Sequence, residues 1–109
     1  MHTQTFTHTI IATGAGVQKR FVSYAGAQAD ADDQALGVAM SDFAVGEAFT
    51  AHIAGVVAVE AGGAVAVGAP VAPDANGRGI SVAENAANIA GRALNVVAAA
   101  GETLFIKLK

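Results

Sequence analysis

The sequence predicts an all-β domain, a small β-barrel or β-sandwich with an extended N-terminal arm, and three observations predict it. The first is a phrase that occurs twice. Ala35-Leu36-Gly37-Val38-Ala39-Met40-Ser41 runs through a spacer into Gly46-Glu47-Ala48-Phe49, and Ile89-Ala90-Gly91-Arg92-Ala93-Leu94-Asn95 runs into Gly101-Glu102-Thr103-Leu104-Phe105. Each copy reads as strand, tight Gly-Glu turn, strand: glycine supplies a positive φ and the carboxylate keeps the turn in water. The second is period-two alternation near the N-terminus. The third is a series of short β-branched runs bounded by glycine, proline and Asp/Asn turn signals.

Taken in order, residues 3 to 11 place Thr3, Thr5, Thr7 and Thr9 on one side and Gln4, Phe6, His8 and Ile10 on the other. This is a strand or extended arm too polar for the core. Gly14-Ala15-Gly16 turns the chain, and Val17 to Tyr24 reads as a second strand with Phe21 among its buried residues. Residues 25–34 are small and acidic, a solvated loop. The first repeat copy supplies strands near 35–41 and 47–53, and Ile53 to Glu60 continues the second of these until Gly62-Gly63 breaks it.

Ala64 to Val67 is either a strand or one helical turn. Pro70 to Pro73 is extended, because the residue before each proline is pushed out of the α region. Asp74-Ala75-Asn76-Gly77 is a turn, Ile80 to Val82 returns as a strand, and Thr103 to Leu108 closes the chain. Residues 83–100 contain much alanine, the best helix former, so a short helix rivals strand-turn-strand there. Gly91 and Asn85, Asn88 and Asn95 favour the strands. The organisation expected is an arm with the first strand over residues 1–12 and a single β domain over 13–109.

Composition limits function. The 109 residues are 53% hydrophobic, but alanine and valine dominate, with five Phe, one Tyr and no Trp. Such a core is thin at about 25 cal/mol per Å² of apolar surface buried. With only 14% charged residues outside it, association between copies is expected. The net charge of −3 and six scattered cations (Lys19, Arg20, Arg78, Arg92, Lys107, Lys109) give no basic stripe for nucleic acid. No apolar run approaches the roughly 20 residues that span a bilayer. Met1 to Thr5 lacks the blocks of a signal peptide, so the chain is expected to be made in a cytoplasm and to leave it by lysis or within something larger. Cysteine is absent, which removes disulfides and thiolate metal sites.

No motif carries chemistry. Gly14-Ala15-Gly16 opens like a dinucleotide fingerprint, but Lys19 stands where the third glycine belongs and no βαβ unit follows. Asp30, Asp32 and Asp33 resemble a calcium loop only until Ala35 and Ser41 occupy the positions that need Gly and Glu. His2, His8 and His52 show no metal-ligand spacing, and no nucleophile elbow surrounds any serine. Glu47 and Glu102 hold equivalent turn positions, where solvation explains them. No cofactor, no metal and no catalytic residue is expected.

The order of these signals resembles a known family, the short capsid decoration (cement) proteins of tailed bacteriophages. It is carried by the Thr-rich arm, the Val17–Tyr24 strand with its acidic loop, Ala35 to Ala39, and Gly46-Glu47 with its strand. Gly68-Ala69-Pro70-Val71 before the Asp74–Gly77 turn, and Ala90 to Leu94 before Gly101-Glu102, complete it. The resemblance covers nearly the whole chain. It implies a small β-barrel or sandwich that forms homotrimers at three-fold positions of the expanded head, clamping neighbouring major capsid subunits without catalysis. It also implies a capsid-surface location in the virion after assembly in the host cytoplasm.

A paucity of aromatics and an Ala-heavy second half depart from richer members. The arm, through Thr3, Gln4, Thr5, Phe6 and Thr7, is the expected capsid contact, adding as a strand to a capsid edge. Residues 2–7 are expected to order only on the capsid. Two other readings are a tail- or fibre-associated virion module and a small ligand-binding β domain. The absence of Trp and the single Tyr24 weigh against the last.

Overall fold

A computed structural model describes residues 6–31 and 33–108. Nine strands form: β1 (Phe6–Ile11), β2 (Phe21–Ser23), β3 (Ala35–Ala39), β4 (Ala48–Ala54), β5 (Val56–Glu60), β6 (Pro70–Pro73), β7 (Gly79–Ser81), β8 (Gly91–Ala93) and β9 (Thr103–Leu108). They make two antiparallel sheets, ordered β1-β4-β3-β2 and β5-β9-β8-β6-β7. No helix occurs among the described residues, so residues 83–100 hold turns around β8. The all-β expectation holds.

The repeat seen in the sequence is larger than two hairpins. The second sheet reproduces the first strand for strand. Phe21 faces Val38 and Val22 faces Gly37 in the first sheet; Pro70 faces Arg92 and Val71 faces Gly91 in the second. The Ala12 amide donates to the Glu47 carbonyl (2.8 Å) and the Gly46 amide to that of Ala12 (2.8 Å). In the second copy Ala61 bonds Glu102 (2.9 Å) and Gly101 bonds Ala61 (2.8 Å) in the same way. Glu47 Oε1 accepts from the Ala44 amide and Glu102 Oε1 from the Ala98 amide, so both turn carboxylates cap their own loops rather than only solvating them. Only β7 is extra; in its place the first copy has a single bridge, Val22 with Gln28.

Several predicted elements change. Val17–Tyr24 shrinks to β2 because Lys19, at φ 64°, turns the chain where the second copy uses Gly68 at φ 81°. Ile53–Glu60 is two strands: Gly55, at φ 94°, ends β4 and starts β5, passing the chain between sheets. Ala64–Val67 is neither strand nor helical turn, but a loop held by a bridge from Val65 to Val97. Pro70–Pro73 is β6, an interior strand, with Pro70 at its first position, where a missing N–H is tolerated.

The core falls into two clusters. Ala12, Val22, Ala39, Phe43, Phe49 and Ala51 form one inside the first copy, with the Phe43 and Phe49 rings stacked 3.8 Å apart. The counterpart in the second copy (Ala61, Val71, Ala93, Val97, Leu104, Ile106) is enlarged by Phe21, Ala29 and Val38 from the first. Those three residues join the copies. A half-buried Arg20–Glu60 pair (3.4 Å) and a bond from the Glu60 amide to the Lys19 carbonyl (2.7 Å) reinforce the junction.

Candidate functional surface

Phe6 and Thr7, expected in the contact arm, open β1; Thr3, Gln4 and Thr5 lie outside the described residues. Among the described residues β1 is an edge strand paired only with β4, and all its residues but Ile10 are exposed. Its direction of pairing follows from one bond. The Thr50 carbonyl accepts from the Met40 amide, so Thr50 points its backbone towards β3, and Thr9, opposite Thr50, points its own backbone away from β4. Thr7 and Thr9 therefore present their N–H and C=O groups along an open edge. That edge carries no proline and no Lys, Asp or Glu, the usual guards against strand pairing.

The β5 edge, its counterpart, differs. Arg20 and the Lys19 carbonyl close its Glu60 end, and a parallel bridge from Ala61 to Gly79 follows. Among the described residues, the β5 edge is thus closed at one end, and the β1 edge at neither.

A groove of about 270 Å³ lies where the copies meet, lined by Tyr24, Leu36, Ile53, Ile89 and Leu108 with the amides Gln34 and Asn88. Among the described residues Tyr24 is the single ionisable group in its lining, and they gather no acid–base pair there. No metal-holding cluster of His, Asp or Glu occurs among the described residues. On the outer surface Glu84 and Arg92 form an exposed bidentate pair, 2.6 and 3.1 Å. The Arg92 hydrogen bond, aided by its charge, holds the Glu84 carboxyl below the ordinary glutamate range. A carboxylate lowered on folding stabilises above its unfolded pKa and loses that contribution as pH falls through the folded value. Carbon-detected NMR titration should find Glu84 below a free glutamate, and Arg92→Ala should return it.

The surface that sequence reasoning missed is apolar. Ala58, Phe105 and Leu94 lie side by side across β5, β9 and the end of β8, and Phe105 and Leu94 are each 47% exposed. The signal was present in the repeat: after Gly-Glu and two residues, the first copy has Thr50 and the second Phe105.

The model of the phage cement protein family matches residues 1–108. The chain belongs to that family. This cement protein is thereby a virion structural protein of a bacteriophage. The base of the head fiber gp8.5 (the N base) in bacteriophage phi29 has a similar structure: TM-score 0.78 and 16% identity, covering 97% of this chain and 95% of that one. That likeness is one of fold. Among curated proteins, nothing matches.

Proposed function

We propose that this cement protein decorates the outside of the phage head and clamps neighbouring major capsid subunits, with no catalysis and no cofactor. The copies on the head form a homotrimer, joined to the shell by the segment Thr3–Thr7 and by the edge of β1. The observation that carries this reading is the open edge: Thr7 and Thr9 aim their backbone groups outward along a β1 edge with no partner at either end among the described residues, while the β5 edge is closed at its Glu60 end. An extended capsid segment laid along β1 would complete the sheet, main-chain bonds giving affinity and side chains register. Three such contacts per trimer multiply through effective concentration. The family and the fibre-base fold both support a binding part over an enzyme.

The test is co-sedimentation with expanded heads. Thr9→Pro removes an outward N–H and leaves the β1–β4 ladder intact, so folding is retained. Head occupancy at fixed concentration should fall about tenfold, the equivalent of about 1.4 kcal/mol. Deletion of residues 2–7 should abolish it. Full occupancy by both variants would refute the β1 contact.

A further inference from the structure

The duplication provides an internal control for surface positions on the strands that the two copies share. In the first copy the row across β1, β4 and the end of β3 is Thr9, Thr50 and Met40, with the two threonine hydroxyls 3.4 Å apart and the Met40 amide bonded to the Thr50 carbonyl (3.0 Å). In the second copy the same places hold Ala58, Phe105 and Leu94, with the Leu94 amide bonded to the Phe105 carbonyl (2.7 Å). Backbone geometry is shared, so folding does not call for the change from a hydroxyl pair to an aromatic ring. Val56, two places from Ala58 on the same side of β5, is also exposed. An exposed apolar row, standing where the first copy has a hydroxyl pair beside Met40, is the mark of a contact face.

We infer that this row is the face by which one copy of the chain packs on the next, and that it receives the segment 40–47 of the neighbouring copy. Charge selects that occupant. Lys107, next to Phe105 on the same side of β9, has no ion-pair partner among the described residues, whereas Arg92 beside it is held by Glu84. Row against row would bring two uncompensated ammonium groups together. The 40–47 segment offers the complement: Met40 and Val45 are exposed, 47% and 67%, beside the exposed carboxylates Asp42 and Glu47. Because donor and acceptor patches differ, the contact is head-to-tail and closes into a ring when the rotation permits. This rests on the reading of the chain as a multi-copy surface component, but it is tested without heads.

Native mass spectrometry and light scattering at micromolar concentration give the readout. The wild type should be an oligomer. Ala58→Thr with Phe105→Thr installs the Thr9–Thr50 pair at a place where the first copy already tolerates it, and should yield a folded monomer. Asp42→Asn keeps the bond from the Gln18 amide but loses the charge, and should raise the dissociation constant several-fold. Lys107→Glu, at an exposed position, gives the same readout should the double variant unfold. A monomeric wild type, or folded variants of unchanged mass, would overturn the inference. Failure of the wild type to bind heads would overturn the capsid reading and leave this one standing.

Discussion

Gly37→Ala should be among the most damaging single substitutions in this protein, although it adds one methyl group at a residue with no positive φ. A Cβ at Gly37 runs into the carbonyl of His52 on β4, and one at Gly91 into that of Lys107 on β9. These are counterparts, so the same close approach of strands is built twice. Backbone cannot swing aside as a side-chain tip can; the hairpin must open or the ladder must break. Overpacking costs about 1–3 kcal/mol where side chains can shift and more where, as here, backbone must move, a large part of the roughly 5–15 kcal/mol that holds a domain together.

Gly46 is the control. It sits at φ 85° with nothing within 4 Å of a new Cβ, so Gly46→Ala meets only left-handed strain, about 1–2 kcal/mol. Urea unfolding should rank Gly37→Ala below Gly46→Ala, and Gly91→Ala below Gly101→Ala. An unmoved midpoint for Gly37→Ala would show that the strands are not as close as described.

These glycines also show where the sequence stopped being readable. Gly46 and Gly101 were legible as turn residues because a Gly-Glu turn is a local device. Gly37 and Gly91 were visible as repeated letters, but their reason lies in the carbonyl of a cross-strand residue, which needs register. The same holds for the duplication itself. β3–β4 and β8–β9 share words, whereas β1 and β5, or β2 and β6, share almost none: Phe21 corresponds to Pro70 and Lys19 to Gly68.

Position-specific backbone demands survive in such pairs while side chains diverge, so the relation appears only in hydrogen-bond register. Gly55 was hidden for another reason. An apolar run continues through it, and only its φ of 94° reveals the change of sheet. The contact row was within reach, since Thr50 and Phe105 stand at matching places. Exposure decides its meaning, and an apolar residue in a strand is more often core.

Phe21→Ala tests the joining of the two copies and should be the most destabilising core truncation. Phe21 is fully buried, yet it belongs to the first copy and packs in the second copy's cluster with Val38 and Ala29. Its counterpart is Pro70, with a much smaller side chain, and Val38's counterpart Arg92 is exposed and tied to Glu84. The buried part of the junction therefore centres on Phe21, Val38 and Ala29, reinforced by the bonds from Phe21 to Gly77 and Glu60 to Lys19, the Arg20–Glu60 pair and the Asn88 amide on the Ala31 carbonyl.

Loss of a buried Phe costs about 3–5 kcal/mol, because the cavity left cannot collapse when both walls are sheets. At about 4–8 °C per kcal/mol for a domain near this size, the melting temperature should fall by more than 12 °C. The wild type should unfold in one transition, since the second copy's cluster is complete only with residues of the first. Phe21→Ala should retain that single transition at lower temperature if the copies support each other. Two separated transitions in the variant, with the first copy's Phe43–Phe49 stack melting apart from Leu104 and Ile106, would mean that each copy is a folding unit of its own and that the junction only tethers them.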